Sequence, residues 1–219
     1  MTTTSTVDYN RESSTNRIRI VLATENRGKV TELQSLVGDI ADVVDLGAFN
    51  LILPSETGST FAENAIAKAA FASEQTGLIA IADDSGLEVD ALAGLPGVRT
   101  ARFAGEEATD AQNRAKLLDA LANVPDGDRG ASFVSVIAIS RPKVEANVLI
   151  ATGRCHGTIA YEERGTHGFG YDSIFQIPDG RMMAELTSEQ KNAMSHRGAA
   201  IRRIVPLLLR ELLAPSEAG

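Results

Sequence analysis

The run Leu78-Ile79-Ala80-Ile81-Ala82 is apolar at every position and opens directly onto Asp83-Asp84-Ser85-Gly86. Five consecutive apolar residues without alternation read as a short strand buried on both faces, delivering the chain into an acidic turn. Helical patterns lie on both sides of it. Ahead of it, Thr60 with Glu63 offers a capping box for an alanine-rich helix that runs to about Thr76, and Gly77 supplies the stop. Further upstream, residues 17–23 read as a strand. It runs through the polar loop Thr24-Glu25-Asn26-Arg27-Gly28-Lys29 into a helix with Val30, Leu33, Leu36 and Val37 at helical spacing.

Downstream, Thr109 and Gln112 form a second capping box, before a helix ending near Val124-Pro125. Residues 131–140 and 147–155 read as two strands joined through Arg141-Pro142-Lys143, an antiparallel pair, and 173–177 as a third. The chain then turns helical over 188–194. It starts a new helix at a Ser195 cap and continues from Arg197 to Leu213, with a kink expected at Pro206. The fold class expected is α/β: a mixed, elongated sheet flanked by helices, in two lobes around a central cleft. Residues 1–16 are Thr/Ser-rich and almost without apolar side chains, so they are expected to form a disordered tail, and 17–215 a single domain.

The 219 residues are 43% hydrophobic, enough for a core without disulfide support, and the only cysteine is Cys155. A reducing, cytoplasmic compartment is expected. No run approaches the roughly 20 apolar residues that span a bilayer, and the N-terminus lacks a secretory pattern, so no membrane association is expected. A formal charge of -8 argues against broad nucleic-acid binding, which needs a basic face. An anionic substrate would need locally gathered lysines and arginines, or a metal.

Five places in the chain can carry chemistry. The loop from Thr24 to Lys29 lies at a helix N-terminus, where free N–H groups and the helix dipole favour an anion, and Lys29 adds a full charge. It is not a P-loop, because Val30 follows the lysine. It either binds phosphate or is a plain connection with a solvated lysine. Asp83 and Asp84 are a like-charged pair that needs a cation, for which magnesium is suited by its preference for few carboxylates plus water and phosphate oxygens. The alternative is an Asx-turn or helix cap. Glu56 is a further possible ligand, whereas Glu63 is explained by capping.

Lys68 lies on the alanine-rich helix, where a solvated face is the plain reading. In Gly168-Phe169-Gly170-Tyr171-Asp172 two glycines flank an aromatic ring that either stacks on a base or packs a hairpin. Ser195 caps a helix in any reading, while His196 and Arg197 either donate to base oxygens or face solvent. Cys155 and His156, adjacent on a strand, face opposite sides and do not make a nucleophilic dyad, and no partner for His167 as a base is evident.

Together these segments resemble the inosine/xanthosine triphosphate pyrophosphatase family, over about residues 18–213. The resemblance rests on Thr24-x-Asn26-x-x-Lys29, Glu56-Thr57-Gly58-x-Thr60-Phe61-x-Glu63-Asn64-Ala65, Ala82-Asp83-Asp84-Ser85-Gly86-Leu87, Gly168-Phe169-Gly170-Tyr171-Asp172 and Ser195-His196-Arg197-Gly198. It implies a nucleotide-binding cleft and hydrolysis of ITP, dITP and XTP to nucleoside monophosphate and diphosphate, with Mg2+ and as a homodimer. It implies that Thr24, Glu25, Asn26, Arg27, Gly28 and Lys29 bind substrate and that Asp84 is proton acceptor and metal ligand. Ser85, Phe169, Gly170, Tyr171, Asp172, Lys191, His196 and Arg197 correspond to further substrate contacts, and Lys68 to a phosphate contact.

The chain departs from the family pattern at Glu25 and His167, each in place of a glycine, and at Ser173 in place of a proline. Ser55 stands where some members carry a second acidic metal ligand. The competing readings are a pyrophosphatase of pyrimidine or modified nucleotides, a nucleotide-binding module without turnover, and a nucleic-acid-binding protein, which the negative charge disfavours.

Overall fold

A computed structural model describes residues 17–24, 34, 41–142 and 148–213. Its centre is a seven-stranded mixed sheet in the order β2-β1-β3-β5-β6-β7, with the two-residue β4 pairing off β3. Strand β1 (Ile18–Leu22) lies parallel to β2 (Ala41–Asp45) and to the first residues of β3 (Ile79–Val89). Antiparallel pairing then carries the sheet from β3 through β5 (Gly130–Ser140) and β6 (Leu149–Ile159) to β7 (Phe175–Gln176), while β4 (Pro96–Gly97) pairs with Leu87 and Glu88. The helices around it include α1 (Phe61–Thr76), α2 (Asp110–Ala120), α3 (Ser188–Met194) and α4 (His196–Leu213).

Alternation along the strands divides the core between the two sheet faces. On one face Ala65, Ala69 and Ala72 of α1 meet Ala80, Ala82, Val134, Val136 and Ala138, small against small, so the helix backbone lies close to β3. On the other face Ile201, Ile204 and Leu208 of α4 pack on Ile20, Leu22, Ile81, Ile137 and Ile139. Each such aliphatic side chain contributes about 1.5–3 kcal/mol on burial. A third cluster, with Leu117 and Leu121 from α2 and its C-terminal end, covers Leu87, Val89, Phe133 and Phe175.

Several local signals act as expected. Thr60 Oγ1 accepts the Glu63 N–H and Gly77 ends α1 at φ 68°. The Glu63 carboxylate also accepts from the N–H and hydroxyl of Ser59. Thr109 and Gln112 form their capping box in full. The α2 helix stops at Ala120, short of Val124, because the buried Arg129 guanidinium donates to the carbonyls of Leu121 and Val124, as well as to those of Ile159 and Ala160. The last helix begins one residue early, at His196, and continues through Pro206.

Two expectations are corrected. Asp83-Asp84-Ser85-Gly86 is not a turn. Strand β5 pairs with every residue from Ala80 to Val89, and that ladder holds the acidic segment extended in an 11-residue strand. Strand β7 has only two residues, since the chain turns at Tyr171, whose carbonyl accepts the N–H of Phe175. Of the helix expected after Lys29 only Gln34 is described, and it is helical, while the end of the Arg141-Pro142-Lys143 link lies outside the described residues. Among the described residues no helix is long and apolar enough to cross a membrane.

The other edge of β3 positions the site. Strand β1 pairs with it only up to Ile81, and β4 rejoins it at Leu87. Among the described residues no strand covers Ala82 to Gly86 on that edge, and the acidic pair sits in this gap, just past the point where the Ala23 N–H donates to Ile81 O as the chain leaves β1.

Candidate active site

Neighbouring strand residues point to opposite sides, so the two aspartates serve different faces. Asp84 shares the α1 face with Ala80 and Ala82. There Asn64 Nδ2 donates to Asp84 Oδ2 at 2.9 Å, and Asn64 Oδ1 accepts the Gly58 N–H at 2.8 Å, fixing the amide from both ends. One turn further along α1, Lys68 Nζ stands 3.7 Å from Asp84 Oδ1 and 2.6 Å from Glu56 Oε1. Lys68 is only 7% exposed, which overturns the solvated-face reading. Its buried ammonium is compensated by the two carboxylates it bridges.

Burial pushes the Asp84 carboxyl above the usual carboxylate range. The Lys68 charge and the Asn64 hydrogen bond pull it back, while the charges of Glu56 and Asp83 push it further up. Arg102 adds a second cation at Glu56, with Nη1 3.9 Å from Oε2 and Nη2 donating to the backbone oxygen at 3.4 Å.

Glu56 and Asp84 thus converge on a spot that already attracts positive charge. Among the described residues there is no group of three or more acidic, His or Cys side chains able to cage an ion. A divalent cation held by Asp84, with Glu56 beside it, would complete its shell with water and phosphate oxygens, the coordination magnesium prefers. The donor set fits such an ion.

Asp83 and Ser85 face α4. Arg197, in the first turn of that helix, places Nε 3.5 Å from Asp83 Oδ2 and donates from Nη2 to Ser85 Oγ at 3.5 Å. The helix reaches this depth for two local reasons. Ser195 caps it, accepting the Gly198 N–H at 3.1 Å. Gly153 of β6 has no side chain where a Cβ would collide with the His196 carbonyl and approach Ala200 N to 2.5 Å. The His196 ring stacks on Phe133, with centroids 4.9 Å apart and planes at 16°.

A cleft of about 340 Å³ opens on this side, bordered by Ser85, Phe133, Phe169, Lys191, His196 and Arg197. Its outer wall is the loop 168–172, where Gly168 and Gly170 adopt φ of 82° and 61°. Asp172 organises the loop: its Oδ2 accepts the Phe169 N–H at 2.9 Å and takes Lys191 Nζ at 2.5 Å. Lys191 Nζ lies 4.9 Å from the Phe169 ring centroid. Tyr171 joins the core instead, its hydroxyl donating to Thr100 O at 2.9 Å, and burial raises its phenol well above the usual range.

The structure therefore gathers Ser85, Phe169 to Asp172, Lys191, His196 and Arg197 around one cleft, and Asp84 with Lys68 across β3 from them. Thr24 is buried, two residues beyond the end of β1. Glu25, Asn26, Arg27, Gly28 and Lys29 lie outside the described residues. Sequence reasoning missed Arg102 at Glu56, and Asp110 and Arg114, which hold Gly170 from α2. Each acts on a segment remote in sequence, so no local pattern announces it.

The sequence model of the Ham1 family matches residues 20–207. The chain is 50% identical over 188 residues to the dITP/XTP pyrophosphatase of Haemophilus ducreyi, covering 85% of this chain and 96% of that protein. It is likewise 50% identical over 192 residues to the dITP/XTP pyrophosphatase of Yersinia pestis, covering 87% and 98%. Among solved structures, a HAM1 protein from Coxiella burnetii superposes with a TM-score of 0.84 at 46% identity, over 88% of this chain and 99% of that one. The Ham1 protein of Staphylococcus aureus gives 0.80 at 41% identity, over 88% and 99%.

Proposed function

From the premise that this chain belongs to the Ham1 family, we infer that it is a nucleoside-triphosphate pyrophosphatase acting on deaminated purine nucleotides, dITP, ITP and XTP. The products are nucleoside monophosphate and diphosphate. The observation that carries the reading at the residue level is the buried Asp84–Lys68 pair on β3, with an aromatic cleft on the opposite face.

Splitting a phosphoanhydride asks the protein to hold the phosphates in line and to neutralise their developing charge. In this reading Lys68 meets the phosphates from α1, and the loop from Thr24 to Lys29 holds them from the end of β1. Asp84 orients the attacking water and accepts its proton on the oxygen turned toward Lys68, while Asn64 holds the other oxygen still. Mg2+ on Asp84 and Glu56 would supply further positive charge to the phosphate oxygens and favour the ionised carboxylate.

The base enters the cleft against Phe169. Lys191, His196 and Arg197 offer N–H donors, which suit the six-position oxygen of hypoxanthine or xanthine. Adenine's amino group would leave donor facing donor and cost the site a buried hydrogen bond. A second copy of the chain is the proposed partner, which analytical ultracentrifugation would test.

The deciding experiment incubates the purified protein and Mg2+ with ITP, dITP, XTP, ATP and dUTP and follows diphosphate release. Diphosphate from the first three, at least about tenfold faster than from ATP, supports the reading. Release of single phosphates, or a preference for dUTP, would overturn it.

A further inference from the structure

Phe169 is 58% exposed, so little packing of its own holds it over the cleft. Its position follows from the backbone beneath, and that backbone is gripped from α2. Asp110 Oδ2 accepts the Gly170 N–H at 2.7 Å, and Arg114 Nη1 donates to the Gly170 carbonyl at 2.8 Å. The two residues are four apart, one helical turn, and so reach the same loop from one face. The peptide groups on both sides of Gly170 are thereby fixed, immediately after Phe169.

Arg114 is itself braced. Its Nε lies 3.0 Å from Glu163 Oε2, and that oxygen accepts the Ser173 hydroxyl at 2.8 Å. The Arg114 hydrogen bond is the largest cause holding the Glu163 carboxyl below its usual range, so the brace is charged when it acts. From the other side, Asp172 fixes the Phe169 N–H. The ring therefore stands on a backbone tied at the Phe169 N–H and at both polar groups of Gly170, the latter two through α2, an element that contributes no catalytic group.

We propose that Asp110 and Arg114 are positioning residues for base recognition, holding Phe169 where it stacks on the purine. The proposal rests on the reading of the cleft as the base site. It assigns them to substrate affinity and not to the chemical step, since neither approaches Asp84 or Lys68 among the contacts described. Loosening the clamp lets the ring drift from a stacking geometry that rewards close registration.

A double-mutant cycle on the full chain with ITP tests this. Phe169→Ala should raise KM about tenfold or more, in the range of a lost base–aromatic stack. Arg114→Gln should raise KM roughly three- to tenfold with kcat within about twofold, Arg114→Lys should recover part of the loss, and Arg114→Gln added to Phe169→Ala should change nothing further. A similar rise in KM in both backgrounds, an unchanged KM, or a loss of kcat without a change in KM would overturn the proposal while leaving the base site intact. If Phe169→Ala itself leaves KM unchanged, the base reading falls and takes the proposal with it. Should Arg114→Gln fail to fold by its thermal melt, Asp110→Ala carries the same cycle, because the Thr109 cap is independent of the Asp110 side chain.

Discussion

Asp83 and Asp84 are consecutive in the chain and face opposite sides of β3, the first 3.5 Å from Arg197 on the α4 side, the second 3.7 Å from Lys68 on the α1 side. A strand splits them in a way a turn would not, and the division of labour across the site follows from it.

The first expectation concerns the chemical step. Asp84→Asn keeps the shape and the Asn64 contact but removes the proposed proton acceptor, so kcat for ITP should fall at least about a hundredfold with a smaller change in KM. Steady-state diphosphate release measures this, and near-normal turnover would remove Asp84 from the mechanism.

The same substitution tests the electrostatics. Burial raises Asp84 in the folded chain above its unfolded value, so the folded state holds that proton more tightly. The resulting stabilisation is complete below the ordinary carboxylate range and is lost as pH rises through the raised value. Asn at this position cannot ionise. In metal-free buffer the Tm of Asp84→Asn relative to the parent should climb between about pH 4 and pH 7. A difference that stays flat would contradict a raised value.

Lys68 is the counter-charge of Glu56 and Asp84. Lys68→Met leaves Glu56 and Asp84 facing each other and should cost roughly 1–3 kcal/mol in metal-free protein, discounted because Glu56 is partly exposed. Mg2+ should then raise the Tm of the variant more than that of the parent. Equal responses would argue against a cation seat between the two carboxylates.

Gly153 sets how closely α4 approaches the sheet. Gly153→Ala forces a methyl against the His196 carbonyl and should destabilise by about 1–3 kcal/mol while raising KM for ITP, since His196 and Arg197 ride on the displaced turn. A stable variant with unchanged KM would show that the helix start has room to yield.

Much of the architecture is legible in the residues because it rests on local physics. The Thr60 and Thr109 caps, Gly77, the unbroken apolar run before Asp83 and the Ser195 cap all act where the pattern places them. The extended course of Asp83 to Gly86 is not legible. Aspartate and glycine are poor strand formers, and only the ladder to β5 keeps them straight. Strand β2, Ala41–Asp45, has two aspartates around two valines and owes its place to pairing with β1. The burial of Lys68 is hidden for a related reason: a lysine among alanines looks solvated until the small residues beside it bring the helix down onto Asp84 and Glu56. Arg102, Asp110 and Arg114 act across 46, 60 and 56 residues of sequence, on backbone atoms, and such contacts have no residue-level signature.

In the proposed seating, the edge of β3 that no strand covers among the described residues also acts as a divider. A nucleotide seated as proposed has to pass around that edge, with its base gripped on one face and its phosphates on the other. Cutting the chain of phosphates leaves each fragment with only its own share of the handholds, and the advantage of being tethered to the other share vanishes. The cut that makes the products therefore also loosens them. Monophosphate and diphosphate supplied together should compete with ITP far more weakly than an uncleavable triphosphate analogue of the same base.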